Sequence, residues 1–192
     1  MRRTKAIAGF VASSIAVIAS LALIHRKSTS ARAMPPPGTA CRPNAKKANL
    51  QLAFRDLTGQ RVSLERYRGK VLILDFWATW CVPCQVEIPG FIDLHRKYQS
   101  AGLEVVGVTV LDDFKKARPF VEQHGMNYTI LDGNDRDDVE RAFGPFVGLP
   151  TTLVIGRDGS ICAKHVGIPS LGTGSLEKSS RESFEAAVRP LL

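Results

Sequence analysis

Residues 71–84 read VLILDFWATWCVPC, and this stretch decides the fold. Its first half, Val71–Trp77, is apolar at every position except Asp75. Such a run is typical of a strand that is covered on both faces of a sheet. Residues from about 82 to 98 then show the spacing of a helix. The stretch therefore predicts a buried strand that continues through a short loop into a helix.

The two cysteines of this stretch, Cys81 and Cys84, fall at the predicted start of the helix. The first turn of a helix has free backbone N–H groups and the positive end of the helix dipole. We expect this position to lower the pKa of Cys81, which makes Cys81 the attacking nucleophile. Cys84 lies on nearly the same helical face and can resolve a mixed disulfide. Pro83 stands in the first turn, where a missing N–H is tolerated.

Two other uses of this Cys-x-x-Cys pair stay open, a structural disulfide and a metal site. A zinc site needs a second pair of ligands. Cys41 and Cys162 are far apart in the sequence, and His165 is the only histidine a short step from either of them. A c-type haem site needs His directly after the second cysteine, where this chain has Gln85. The position of the pair behind an apolar strand favours a redox dithiol that needs no metal and no further cofactor.

The body of the chain, from Asn49 onward, alternates strand-like and helix-like segments. A β-hairpin is predicted around residues 58–60, and the alternation predicts an α/β fold with a mixed sheet and helices on both faces. A helix from Asp112 to about His124 contains Pro119, which predicts a kink. Further strands are predicted at 103–110, 128–131, 151–155 and 161–166, and further helices at 137–143 and 177–188.

The net charge of +8 belongs to the N-terminal part of the chain. Residues 1–48 contain nine basic residues and no acidic one, whereas residues 49–192 contain 17 basic and 18 acidic residues. A nucleic-acid-binding domain carries its basic patch on the domain itself. We therefore expect no nucleic-acid partner.

Residues 1–27 have the pattern of a signal-anchor or a signal peptide. Residues 6–24 are uncharged and apolar over a length that can span a bilayer, and three basic residues precede them. A small-x-small signal at residues 31–33 keeps cleavage open as the alternative. Residues 28–48 are rich in Pro, Ser and Lys and are predicted to be a linker before the domain of residues 49–192. Both alternatives place that domain on the extracytoplasmic side of a membrane.

Two segments resemble a known family. Residues 76–89, FWATWCVPCQVEIP, and residues 148–152, GLPTT, are similar to the two motifs of the TlpA/ResA/DsbE branch of thioredoxin-fold proteins. The resemblance covers residues 49–192 and implies a thioredoxin fold with an N-terminal β-hairpin and a central αβ insertion. It also implies a membrane-anchored thiol–disulfide oxidoreductase that acts on protein substrates, such as apocytochrome c or copper-site assembly proteins. We expect a monomer that receives electrons from a membrane thiol reductant.

The residue pattern and the resemblance point to further site residues. Asp75 should have a raised pKa in its apolar strand and is the candidate proton acceptor for Cys84. Glu87, one helical turn after Cys84, is implied to have an acid–base or substrate-reading role. The alternatives are an Asp75 that reaches water and a Glu87 on a solvated helix face. The resemblance implies a cis bond before Pro150, which leaves the backbone of Leu149 free to pair with a substrate. The expected substrate contacts also include Trp80, Val82 and Pro83.

The remaining cysteines, Cys41 and Cys162, are predicted to pair, because leftover thiols often do so in an oxidising compartment. Two unrelated thiols are the alternative. Two other function classes also stay open, a copper-binding chaperone module and a peroxiredoxin-like peroxide reductase. Two thiolates without a nearby Met make a poor Cu(I) site. A peroxidatic cysteine of the peroxiredoxin type has Thr three residues before it, where this chain has Ala78.

Overall fold

The computed structural model of the chain describes residues 41–169 and 175–192. The predicted signal-anchor or signal peptide and the first part of the predicted linker lie outside the described residues. Among the described residues, no helix combines the length and the hydropathy that crossing a membrane requires. The elements follow in the order β1 (Ala53–Arg55), β2 (Arg61–Ser63), β3 (Val71–Trp77), α1 (Val82–Tyr98), β4 (Leu103–Thr109), α2 (Ala117–His124), β5 (Thr129–Asp132), α3 (Asp137–Phe143), β6 (Thr151–Ile155), β7 (Ile161–Val166) and α4 (Leu176–Val188).

A five-stranded mixed sheet forms the centre of the fold, in the order β5-β4-β3-β6-β7. Strand β3 pairs in parallel with β4, and β4 pairs in parallel with β5. Strand β6 runs antiparallel to both β3 and β7. Every residue of β3 is buried, as its continuous apolar run predicts. The three parallel strands end at one edge of the sheet, and the Cys-x-x-Cys pair follows β3 at that edge.

Helices cover both faces of the sheet, which confirms the predicted α/β architecture. On one face, α1, α2 and α4 contribute residues such as Phe91, Ala117 and Phe184 to the core. The other face is covered by the separate β1–β2 hairpin and by α3, with Phe54 and Phe143 in its core. The segment between β4 and β6 adds β5 as a parallel edge strand, and this is the predicted insertion.

The chain joins the domain before the boundary expected at Asn49. The backbone N–H of Ala48 donates to the carbonyl of Gly159, and the N–H of Ile161 donates to the carbonyl of Lys46. The Lys47 ammonium lies 2.7 Å from a carboxylate oxygen of Asp158. Residues 45–48 therefore extend along the β6–β7 turn, because the backbone groups of this turn bind them. The sequence pattern does not reveal these hydrogen bonds.

The predicted single helix from Asp112 to His124 is wrong. Residues Phe114–Lys116 form a 3-10 turn, and the Asp113 side chain caps that turn by accepting from the N–H of Lys115. Helix α2 begins only at Ala117. Pro119 therefore lies in the first turn of α2 and not in a helix interior. A proline in the first turn breaks no hydrogen bond of the helix, so the reason for the expected kink does not apply. Gly125 ends the helix with a φ of 61°, as predicted.

Candidate active site

The Cys81–Cys84 pair forms a disulfide with an Sγ–Sγ distance of 2.10 Å at the start of α1. Cys81 is the N-cap residue of this helix, and its Sγ accepts a hydrogen bond from the backbone N–H of Cys84 at 3.2 Å. Pro83 stands in the first turn. This N–H and the helix dipole would stabilise negative charge on the Cys81 sulfur once the disulfide is reduced.

The disulfide is covered, although the residues around it are exposed. Cys81 is 3% exposed and Cys84 is 1% exposed, so accessibility hardly distinguishes the two sulfurs. The flanking Trp80 and Val82 are 59% and 68% exposed, and Pro83 is exposed as well. The two cysteines therefore differ in their place on the helix, not in their exposure. A substrate that reaches Cys81 must first contact its apolar neighbours.

A set of hydrogen bonds holds the loop between β3 and α1. The N–H of Thr79 donates to the Asp112 carboxylate at 2.6 Å, and the indole N–H of Trp80 donates to the carbonyl of Leu111 at 2.9 Å. The Gln85 amide donates to the carbonyl of Thr79 at 3.0 Å. The sequence analysis missed Asp112 because it assigned this residue to the start of a helix.

The Leu149–Pro150 segment lies next to the end of β3. Its peptide bond is cis. Thr151 pairs with Phe76 in the β3–β6 register, so Pro150 falls level with the last residue of β3. Leu149 is half-buried, and the carbonyl of Pro150 accepts from the N–H of Gly167. The structure thus brings this predicted substrate-binding segment to the same sheet edge as the disulfide.

Two buried carboxyl groups, one on β3 and one on α1, lie where this helix packs on the sheet. Asp75 is 2% exposed and accepts a hydrogen bond from the Thr152 hydroxyl at 3.0 Å. Glu87 is 1% exposed and accepts one from the Ser180 hydroxyl at 3.3 Å. Burial raises the pKa of Asp75 to about 7. Burial, helped by the charge of Asp75, raises the pKa of Glu87 to about 9. The solvated alternatives for both residues are therefore wrong, and at neutral pH the pair can both hold and accept a proton.

A row of paired residues crosses the sheet at the level of Asp75. The strand register aligns Asp75 with Gly107 on β4 and Thr152 on β6, and Thr152 in turn with His165 on β7. Burial lowers the pKa of His165, and its Nε2 has no hydrogen-bond partner among the residues that the structure describes. The sequence analysis missed Thr152, Ser180 and His165 as site residues. A register prediction for β3, β6 and β7 could have found Thr152 and His165, whereas no sequence signal links Ser180 to Glu87.

The other two cysteines are joined as well. Cys41 and Cys162 form a disulfide with their Cα atoms 4.5 Å apart, at the start of β7. This bond ties the segment before the domain to the end of the sheet opposite the Cys81–Cys84 disulfide. Every cysteine of the described chain is therefore in a disulfide.

Comparison with known proteins decides the family. A model of the AhpC/TSA family matches residues 43–164. The chain belongs to the AhpC/TSA family. Its match begins before Asn49, in agreement with the early start of the domain.

Two similar proteins share one enzyme name, thiol-disulfide oxidoreductase ResA. The chain is 33% identical over 136 residues to the thiol-disulfide oxidoreductase ResA of Geobacillus thermodenitrificans, covering 70% of this chain and 72% of ResA. It is 31% identical over 113 residues to ResA of Bacillus thuringiensis, covering 58% of this chain and 64% of that relative.

A solved structure supports the same assignment. A Chlorobium tepidum protein assigned as thiol:disulfide interchange protein DsbE superimposes with a TM-score of 0.60 at 28% identity. The match covers 74% of this chain and 99% of that protein. The expected thioredoxin fold is confirmed, and this member of the AhpC/TSA family is a thiol–disulfide oxidoreductase.

Proposed function

We propose that the chain is an extracytoplasmic enzyme that reduces disulfides in protein substrates through Cys81 and Cys84. The Cys81 thiolate attacks a substrate disulfide, which forms a mixed disulfide and releases one substrate thiolate. Cys84 then loses its proton and attacks the Cys81 sulfur, which releases the second substrate thiolate and leaves the Cys81–Cys84 disulfide. The substrate gains two electrons and the enzyme loses two. A membrane thiol reductant resets the enzyme by the reverse exchange.

The hydrogen bond from the Cys84 N–H to the Cys81 Sγ carries this assignment of roles. Only Cys81 occupies the N-cap, so only its thiolate receives the free N–H groups of the first turn. Cys84 lies within the helix, one turn before the buried Glu87. Its proton therefore has to leave towards a base, and Asp75 and Glu87 are the buried carboxyl groups on that side of the sheet.

Substrate contact is proposed for the exposed rim around the disulfide. Trp80, Val82 and Pro83 offer an apolar surface, and Leu149 offers its backbone next to Pro150. An extended peptide bound at this rim would pair with the Leu149 backbone as an added strand, while its cysteine faces Cys81. Recognition of this kind accepts many sequences, because backbone groups carry most of it.

The proposed compartment is supported by two features of the chain. The pattern of residues 1–27 is that of a signal-anchor or signal peptide. The Cys41–Cys162 disulfide links distant parts of the chain, and disulfides of this kind form and persist mainly in oxidising compartments. Substrates in such a compartment include apocytochrome c and copper-site assembly proteins, whose cysteines must be reduced before they bind haem or copper.

Thiol trapping in living cells tests the proposal. A Cys84→Ser variant should accumulate mixed disulfides with its protein partners, because the second attack is blocked. The matched Cys81→Ser variant should accumulate none. Equal trapping by both variants would contradict the assigned roles. Purified protein should also reduce insulin, whereas peroxide consumption or stoichiometric Cu(I) binding without insulin reduction would favour one of the other function classes.

A further inference from the structure

We propose that a basic cavity at the same sheet edge as the disulfide binds carboxylate groups of the protein whose disulfide is exchanged. This proposal rests on the proposed function and adds to it a preference for protein substrates with acidic side chains. The cavity has a volume of about 410 Å³ and lies between the hairpin and the loop after β5. Its lining residues are Ala53, Phe54, Arg55, Arg61, Asp132, Asn134 and Arg136.

The charges in this cavity are unbalanced. Three guanidinium groups face one carboxylate, that of Asp132. Arg136 donates to Asp138 and to the carbonyl of Ala53, so its side chain helps to build the wall. Arg55 and Arg61, in contrast, form no ion pair with any carboxylate in the part of the chain that the structure describes. One N–H of Arg55 donates to the carbonyl of Gly59 at 3.0 Å, and the remaining N–H groups of both guanidinium groups can bind an anion.

Arg55 and Arg61 stand directly opposite each other in the hairpin. Arg55 and Arg61 are partners in the antiparallel register of β1 and β2, and both are exposed. Like charges in opposite positions destabilise a strand pair. A bound carboxylate would relieve this repulsion, and each guanidinium can bind one through two parallel hydrogen bonds.

The cavity lies at the sheet edge that also carries the disulfide. Asp132 is the last residue of β5, Asn134 and Arg136 follow it, and the Cys-x-x-Cys pair follows the carboxyl end of β3. Strand β4 separates these two parallel strands, and Asp56 of the hairpin bridges to Leu131 on the outer side of β5. Arg55 and Arg61 therefore lie three and four strand spacings from β3, roughly 14 to 19 Å across the sheet. In α/β proteins this edge is the usual place for ligands. One extended segment of a partner can reach both places.

Hydrogen bonds connect the cavity wall to the loop that carries the cysteines. Asn134 accepts a hydrogen bond from the N–H of Asp112 at 2.8 Å. Asp112 in turn accepts from the N–H of Thr79 at 2.6 Å, two residues before Cys81. The wall and the loop therefore keep a fixed spacing, and a partner held at the arginines would place its cysteine at a defined distance.

The geometry favours a protein carboxylate over a free anion. Arg55 and Arg61 are exposed, and single ion pairs in water contribute little. A carboxylate on a segment that also binds at the disulfide has a high effective concentration, so a weak contact becomes useful. The contact would then speed the encounter and set the partner's orientation.

Two model peptides test the proposal. Each carries one cysteine disulfide-linked to thionitrobenzoate, and they differ only in a Glu-Glu or a Lys-Lys pair placed six residues away, about 20 Å in an extended chain. The rate constant for the attack of reduced protein is measured from thionitrobenzoate release. We expect the acidic peptide to react about tenfold faster at low salt. The ratio of the two rate constants, acidic peptide over basic peptide, should approach one at about 1 M salt, where the Debye length is about 3 Å.

Paired variants connect the effect to the cavity. The ratio should fall below one for Arg55→Glu/Arg61→Glu and should be close to one for Arg55→Gln/Arg61→Gln, which lacks the like-charge repulsion and so should stay folded. The matched control Arg66→Glu/Lys70→Glu changes the same net charge at exposed residues outside the cavity and should keep most of the preference. Thermal unfolding of each variant confirms that it is folded.

The outcomes separate this proposal from the function on which it rests. If the wild-type protein reacts with neither peptide, both proposals fail. If it reacts with both at equal rates, or if the control variant loses the preference as fully as the cavity variants do, only the docking proposal fails. Abolition of the preference by micromolar inorganic phosphate would indicate a free-anion site and would also overturn it.

Discussion

Replacing Asp75 by Asn should make the protein more stable at alkaline pH, by an amount that the structure sets. Asp75 is buried, and its pKa rises from the ordinary 3.8 to about 7 in the folded chain. Between these two values the folded state binds more protons than the unfolded state does. The free energy of unfolding therefore falls as the pH rises through this window, at about 1.4 kcal/mol per pH unit.

The full loss of stability from Asp75 is then about 4 kcal/mol, reached above pH 7. Asn keeps the shape of the side chain and can still accept the hydrogen bond from the Thr152 hydroxyl. It carries no charge that burial would penalise. We therefore expect the wild-type protein and Asp75→Asn to be about equally stable near pH 4, and the variant to be more stable by up to about 4 kcal/mol at pH 8.

The assay is urea unfolding of the oxidised protein at a series of pH values, with the difference between the two proteins plotted against pH. Asp93 supplies the control, because its exposed carboxylate lies near Arg96 and its replacement by Asn should change stability by less than about 0.5 kcal/mol at every pH. Parallel curves for the wild-type protein and Asp75→Asn would refute the reasoning. A more stable wild-type protein at pH 8 would do so as well.

Three further expectations concern kinetics, the second disulfide and the membrane. Asp75→Asn should slow the release of a mixed disulfide from Cys81 by about 100-fold in stopped-flow measurements, with little effect on the first attack; equal slowing of both steps would contradict a role in deprotonating Cys84. Replacing Cys41 and Cys162 by Ser opens a covalent loop with a sequence separation of 121 residues. That change should lower the free energy of unfolding by about 3–5 kcal/mol in urea titrations and leave insulin reduction intact, whereas unchanged stability would show that the bond constrains little. Full-length protein should stay in the membrane pellet after carbonate extraction, and a soluble mature form that begins at Met34 would show that residues 1–27 are a cleaved signal.

The local part of the site could be predicted from the sequence. The apolar run around Asp75 predicts its burial, because a residue in a strand covered on both faces has no route to water. The position of Cys81 at a helix start follows from neighbouring residues alone. The placement of Glu87 near Cys84 could be predicted from their spacing of one helical turn.

The long-range part of the site could not be predicted in this way. Thr152 and Ser180 donate to the buried acids from 77 and 93 residues away along the chain. Their contacts depend on strand register and on the packing of α4 against α1, which no local pattern encodes. The same holds for the segment of residues 45–48. Its composition is that of a linker, but backbone hydrogen bonds to the β6–β7 turn hold it on the domain.

The two tryptophans allow the redox state of the enzyme to be followed by its own fluorescence. Trp77 is 1% exposed within the core, whereas Trp80 is 59% exposed and stands directly before Cys81. A disulfide quenches the fluorescence of a nearby indole, and two thiols quench it less. Trp80 emits from an aqueous environment and Trp77 from an apolar one. The emission of Trp80 therefore lies at longer wavelength than that of Trp77. The brightness of the red-shifted component would therefore follow the redox state of the Cys81–Cys84 pair in real time, without a dye and without a change to the protein.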